Sequence, residues 1–200
     1  MKHRNTEPQS SPIRILIIST SLKPVQSRSR IMARVVESLL GQEPPEGDNA
    51  ARAAECRWLD LRQHPLPFCD ADAYANDANV QEVKKLVAWA DGVVIAVPIY
   101  NYDGSAAAKN LIEVTGDAWN DKVVAFVCAA GGSHSYMAPM GLANSLMLDF
   151  RSVIVPRFVY ASGGSFEGDT LTDDVIKTRL DNLAQTLVAM TRALRDGGVV

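Results

Sequence analysis

Short runs of branched apolar residues alternate along this chain with stretches whose apolar side chains recur at helical spacing. Ile13–Ile18, Cys56–Leu61, Val93–Val97, Val123–Cys128 and Val153–Tyr160 read as strands. The first, third and fourth runs are apolar at nearly every position, the pattern of strands covered on both faces. Cys56–Leu61 is more polar and is expected at the sheet edge. Helices are predicted between the strands. The first starts at Ser27, carries Ile31, Val35 and Leu39 with Met32, Val36 and Leu40 beside them, and is stopped by Gly41 and Pro44-Pro45. Asn79 and Glu82 have capping-box spacing before the stripe Val80, Val83, Val87 and Ala90. Ala106–Thr115 is an alanine-rich helix and Pro139–Phe150 a fourth. Thr172-Asp173-Asp174 opens the last, whose stripe is Ile176, Leu180, Leu183, Leu187, Met190 and Leu194. Strict alternation of this kind implies a parallel sheet with helices on both faces.

Five strands so arranged predict the order 2-1-3-4-5, a flavodoxin-like three-layer α/β sandwich. With 200 residues, a single domain over 13–200 is expected, preceded by a flexible polar tail over 1–12. Residues 41–54 read as a surface loop, and 64–79 as a segment crossing the top of the sheet. A net charge of −3 with scattered basic residues argues against nucleic acid. No apolar run approaches the roughly 20 residues of a membrane helix, and the N-terminus lacks a signal peptide's apolar stretch. Cys56, Cys69 and Cys128 are odd in number and widely spaced, which argues against a disulfide framework or zinc site and implies a reduced, cytoplasmic setting. His3, His64 and His134 form no cluster, so no metal is expected.

Three loops follow predicted strands, and at the carboxyl edge of a parallel sheet such loops meet. The first supplies hydroxyls at Ser19, Thr20, Ser21, Ser27 and Ser29, and positive charge at Lys23, Arg28 and Arg30, just before a helix. Free backbone N–H groups and the helix dipole suit a phosphate there. The loop has neither a Walker Gly-Lys-Ser/Thr nor a Rossmann glycine set, so a single phosphate is favoured over a pyrophosphate. The bland alternative is that Ser27 or Ser29 only caps the helix. The second loop, Pro98-Ile99-Tyr100-Asn101-Tyr102, is stiffened by proline and walled by aromatics. The third, Gly131-Gly132-Ser133, is bare backbone that a flat ring can approach. Together they describe a phosphate-tailed, planar, redox-capable ligand, and flavin mononucleotide (FMN) fits.

These residues resemble the flavodoxin-like NAD(P)H-dependent FMN reductases, a family that includes quinone, azo-dye and chromate reductases. Ser21-Leu22-Lys23 is similar to the family's Ser-x-Arg, and Ser27-Arg28-Ser29-Arg30 to its following segment, although Thr20 stands where glycine is common. Ala90-Asp91-Gly92 through Pro98-Ile99-Tyr100-Asn101 resembles the Ala-Asp-Gly strand ending in Pro-x-Tyr-Asn, and Gly131-Gly132 the glycine pair beside the ring. The resemblance runs from Ile13 to about Tyr160. It implies one FMN per subunit, with phosphate on Ser21, Lys23, Ser27, Ser29 and Arg30. The ring would then lie among Pro98, Ile99, Tyr100, Asn101, Gly131, Gly132 and Ser133. It further implies NADPH or NADH as donor, with Arg28, Arg30, Arg151 and Arg157 as possible partners for a 2′-phosphate, and FMN, a quinone or another small molecule as acceptor.

The cofactor carries that chemistry, so no catalytic side chain is assigned. Two other readings stand beside it. A flavodoxin-like electron carrier would bind FMN without oxidising a nicotinamide. A serine hydrolase would use Ser133 with His134, but position 135 is serine rather than the glycine of a nucleophile elbow. The resemblance also implies a homodimer or homotetramer, with the 105–115 helix and Trp119 expected at the contact. The alternative is that Ala106–Ala108 only pack that helix onto its own sheet.

Overall fold

The computed structural model describes residues 11–41 and 54–198. Residues 1–10 of the expected tail and 42–53 of the expected loop lie outside them. In chain order the elements are β1 (Ile13–Ser19), α1 (Arg28–Leu40), β2 (Ala54–Asp60), α2 (Ala78–Trp89), β3 (Gly92–Tyr100), β4 (Asp103–Gly104) and α3 (Ala106–Thr115). There follow β5 (Val123–Ala129), α4 (Met140–Phe150), β6 (Val153–Ile154), β7 (Val159–Ala161), β8 (Phe166–Glu167), β9 (Thr170–Leu171) and α5 (Asp174–Asp196). The main sheet runs β2-β1-β3-β5, with both β6 and β7 parallel to β5. This is the predicted flavodoxin-like order, but the sheet has seven strands rather than five. The expected fifth strand is broken in two at Pro156, which has no N–H for the ladder, and Arg157, whose φ is 61°. The other addition is β4, which turns back antiparallel onto the end of β3.

Alternation of side chains across the pleat divides the core. Ile13, Ile15, Ile17, Val94, Ala96, Val123, Ala125 and Val127 pack against α1 and α5. Leu16, Ile18, Val93, Ile95, Val97, Val124, Phe126 and Cys128 pack against α2, α3 and α4. Both faces are therefore dry, which explains the uniformly apolar central strands. On α1 the buried apolar stripe is Met32, Ala33, Val36 and Leu40, while the expected lead stripe of Ile31, Val35 and Leu39 is only half-buried. The apolar arc of α1 is broad, so its spacing alone does not set which edge faces inward.

Two caps differ from expectation. Asp77, not Asn79, caps α2, its carboxylate accepting from Asn79 N–H and Val80 N–H. Asp173, not Thr172, caps α5 through Val175 N–H and Ile176 N–H. In each case a nearby carboxylate, two residues before Asn79 and one after Thr172, reaches the free N–H groups better than the residue chosen from spacing. Trp119 is fully buried, its Nε1–H donating to Thr115 Oγ1 at 2.7 Å, so it belongs to the core and not to a subunit contact. Ala108 is likewise buried on its own sheet, while Ala106 is exposed.

The amino edge of the sheet is pinned by Asp91. Its carboxylate accepts from Arg14 N–H at 2.9 Å and from the Arg14 guanidinium at 2.6 and 3.2 Å. Burial pushes the Asp91 carboxyl pKa up, but the Arg14 hydrogen bonds and the charges of Arg14 and Arg195 outweigh it and hold it below the usual value. That contribution is present above the unfolded-state value of about 4 and fades as pH falls through the lower native one. Asp91→Asn should therefore cost about 1–3 kcal/mol at pH 7. In urea denaturation the gap between variant and wild type should narrow as pH drops below about 4; equal stabilities at pH 7 would contradict this role.

Candidate active site

The loops after β1, β3 and β5 meet at the carboxyl edge around a cleft of about 470 Å³. Of the residues singled out from sequence, Ser21, Lys23, Ser27, Ser29, Pro98, Ile99, Tyr100 and Gly131 line it. Arg30, Asn101, Gly132 and Ser133 do not. Gln26, Arg28, Ile31, Ala129, Ala130, Gly168 and Asp169 complete the wall. Gly168 and Asp169 form the tip of the β8–β9 hairpin, beyond the range of the family resemblance. The Gly-Asp pair is a turn signal that could have marked that hairpin.

The first loop is stitched to the neighbouring strand. Thr20 stands at the usual glycine position and is fully buried; its N–H and its hydroxyl both donate to Ala96 O, at 3.1 and 2.8 Å. The hydroxyl replaces flexibility with a second bond to β3. Further on, Ser27 occupies the N-cap position of α1, yet its side chain makes no capping bond. Instead its hydroxyl lies 3.0 Å from that of Ser29, both side chains being buried beneath the cleft. The bland capping role is thus not what Ser27 performs. The first-turn N–H groups of α1 have no intrahelical acceptor, and no acidic side chain stands in that turn.

Arg28 and Arg30 lie on different sides of α1. The Arg28 guanidinium sits 5.6 Å from the Phe166 ring centroid and borders the cleft. Arg30 is committed below the loop: Nε donates to Ser19 Oγ at 3.2 Å, Nη2 to Ser21 O at 2.8 Å, and Nε lies 3.3 Å from Asp60. Its expected place at the cleft is taken by Arg28.

The second loop is a hairpin. Tyr100 pairs with Asp103 across Asn101 and Tyr102, whose φ values are 50° and 65°, the pattern of a type I′ turn. The turn leaves Tyr100 57% and Tyr102 70% exposed beside the cleft. At the third loop, a Cβ built on Gly131 or Gly132 would meet nothing within 4 Å, so the space over this backbone is open. Tyr160 fixes the loop, its hydroxyl donating to Gly132 O at 2.5 Å. Ser133 and His134 are exposed and no hydrogen bond joins them. Burial pushes the Cys56 thiol up to about 11 and the Cys128 thiol higher still, so neither is a ready nucleophile.

The donor set, the open glycine backbone and the projecting tyrosines fit a planar ligand with an anionic tail. Comparison with known proteins agrees. The family described as NADPH-dependent FMN reductase matches residues 13–167. An NAD(P)H-dependent FAD/FMN reductase of Geobacillus thermodenitrificans is 30% identical over 164 residues, covering 80% of this chain and 89% of its own. An NAD(P)H:quinone oxidoreductase of Solanum tuberosum is 29% identical over 152 residues, covering 70% and 77%. Among solved structures, an oxidoreductase from Corynebacterium diphtheriae superposes with a TM-score of 0.70 at 17% identity, covering 92% of this chain and 99% of that one. At that identity the superposition speaks for the fold.

Tyr102 is the strained element of this edge. The second position of a type I′ turn favours glycine, and an aromatic residue held at positive φ costs about 1–2 kcal/mol. Tyr102→Gly is expected to raise stability by up to about 1 kcal/mol, once the added chain entropy of glycine is deducted. It is also expected to weaken binding of a planar ligand at the cleft. Thermal unfolding and a ligand titration on the same protein check both directions, and unchanged binding would remove Tyr102 from the site.

Proposed function

The chain belongs to the NADPH-dependent FMN reductase family, and on that premise we propose how its cleft serves the reaction. The phosphate is held by Ser21, Lys23, Ser27, Ser29, Arg28 and the first-turn N–H groups of α1. The ring would lie between Pro98–Tyr100 and the Gly131 backbone, with the exposed Tyr102 on the adjoining hairpin. What supports this is the pair of buried hydroxyls at Ser27 and Ser29 under a helix start that no side chain caps. Bound there, FMN would supply the hydride-accepting and electron-passing chemistry between a nicotinamide nucleotide and a small acceptor, with these residues holding it in place. The chain's own residues bind and orient. Pro98 lies within β3 opposite Ala129 and fixes its own φ ahead of the hairpin, Tyr160 holds the glycine loop, and the exposed faces of Tyr100 and Tyr102 offer a second planar molecule a surface.

The acceptor is a small molecule, and we propose a quinone or free flavin, as the names of the relatives suggest. Of the four arginines that could meet a 2′-phosphate, Arg30 is held by Asp60 and Arg151 by Asp121. Arg28 is placed on the flavin phosphate, so the exposed Arg157 remains for that role. No helix among the described residues is long and apolar enough to cross a membrane, and all three cysteines are free; we propose a cytoplasmic protein. For assembly we propose a homodimer or homotetramer. The surface that supports it is the outer side of α4, where Met140, Met147 and Leu148 are exposed opposite the buried Leu142, Ala143 and Leu146.

Anaerobic mixing of the FMN-loaded protein with NADH and with NADPH is expected to bleach the flavin absorbance. No bleaching with either would favour the electron-carrier reading. Ser27→Ala with Ser29→Ala should weaken FMN binding about tenfold or more, the worth of a hydrogen bond to a charged group. An unchanged affinity would move the phosphate elsewhere. Sedimentation at micromolar concentration should show an oligomer that Leu148→Glu weakens, and a monomeric wild type would refute the assembly.

A further inference from the structure

Beneath the loop after β1, one buried carboxylate holds two guanidinium groups, and these in turn take up the loop's carbonyl oxygens. Asp60, the last residue of β2, is only 3% exposed. Arg62 grips it through Nε at 3.1 Å and Nη2 at 2.6 Å, and Arg30 Nε lies 3.3 Å away. From that anchor Arg30 Nη2 donates to Ser21 O at 2.8 Å and reaches Lys23 O at 3.5 Å. Arg62 Nη1 donates to Pro24 O at 2.8 Å. Burial pushes the Asp60 carboxyl pKa up, but the hydrogen bonds from Arg62 and the charges of Arg30 and Arg62 outweigh it and hold it below the usual range. The carboxylate is therefore charged at neutral pH.

The segment from Ser21 to Ser27 has no regular secondary structure, so its carbonyl groups have no ladder to occupy them. A carbonyl oxygen turned toward the cleft would face an anion with its negative end. We propose that Asp60, acting through Arg30 and Arg62, is a positioning residue that keeps the Ser21, Lys23 and Pro24 carbonyls off the cleft and so selects a phosphorylated flavin over an unphosphorylated one. The inference rests on the phosphate placement proposed above. It assigns Arg30 and Arg62 a role that is not direct contact with the phosphate. Both guanidiniums bond the loop from below, and Arg30 and Arg62 are absent from the cleft wall.

The sign of one substitution separates positioning from simple charge. Asp60→Asn removes a negative charge near the cleft, so electrostatics alone predicts tighter binding of FMN, weakened by screening over about 8 Å at physiological salt. Loss of the anchor predicts the reverse. Full-length wild type, Asp60→Asn and Arg62→Lys are titrated with FMN and with riboflavin, following quenching of flavin fluorescence. Wild type should prefer FMN. Asp60→Asn should lose about tenfold or more of its FMN affinity while riboflavin affinity stays within about threefold. Arg62→Lys keeps the charge but not the fork, and should show a smaller loss of the same kind. It also serves as the test where Asp60→Asn does not fold. A wild-type preference for FMN that the folded variants keep, or that Asp60→Asn increases, overturns the clamp and leaves the phosphate placement standing. A wild type that binds both flavins equally overturns the placement, and the clamp with it.

Discussion

Everything in this protein follows from a central sheet that is dry on both faces. With α1 and α5 on one side and α2, α3 and α4 on the other, β1, β3 and β5 can carry apolar side chains almost without exception. Polar chemistry is thereby expelled to the strand ends. Parallel pairing puts those ends side by side: Ser19 lies opposite both Asp60 on β2 and Ala96 on β3, and Pro98 opposite Ala129 on β5. A slip of one residue in any of these pairs would turn a whole set of core side chains outward. The register that buries the core is thus the same register that brings Thr20 to Ala96 and Arg30 to Asp60. Core packing and the geometry of the cleft are one constraint, not two.

At the cleft, the backbone carries as much of the design as the side chains. The loop after β1 is bonded to β3 through Thr20, the Gly131–Gly132 loop is held by Tyr160, and the carbonyls of Ser21 and Pro24 are taken by arginines. What the loop after β1 and the start of α1 leave to the cleft is a set of donors, namely hydroxyls, N–H groups at a helix start and two cations, with the carboxylate of Asp169 coming from the β8–β9 hairpin. Preorganisation of this kind lowers the ordering cost of binding, because the loop has already surrendered the conformations in which it would present acceptors. The asymmetry between α1 and the other long helices fits this division. Carboxylates cap α2 and α5, whereas α1 opens on serines whose hydroxyls point at each other.

Much of this was legible in the sequence, because burial on both faces writes an unmistakable apolar run and the turns between are marked by polar, glycine and proline residues. All five predicted helices form, and the strand order is as expected once the split at Pro156 is allowed for. The three loops that meet at the cleft could be named in advance because parallel topology dictates where they go. Phase was harder to read. Residues two apart on a helix point about 200° apart, so Arg28 and Arg30 could not both face the cleft, and spacing alone does not say which does. The same ambiguity reversed the edges of the α1 stripe. Trp119 looked like a contact residue because large aromatics serve interfaces and cores alike, and only the Thr115 hydroxyl beneath its indole N–H places it inside. The β8–β9 hairpin is two residues per strand, too short for periodicity to register.

Fold alone does not separate a reductase from a carrier, since the same scaffold hosts both functions and the difference lies in the site. A carrier needs its planar ligand held and one edge accessible to a partner protein. A reductase must in addition admit a second planar molecule against the first. The hairpin after β3 meets that need: it holds Tyr102 at positive φ, where glycine would be less strained, and keeps two aromatic faces in solvent beside the cleft. Exposure of such surface costs free energy at about 25 cal/mol per Å² until something covers it. The exposed aromatic area is recovered when a flat ligand stacks there, while the positive φ of Tyr102 stays a standing cost of the turn, so the feature that makes least sense for the fold alone is the one that suits two-substrate chemistry best.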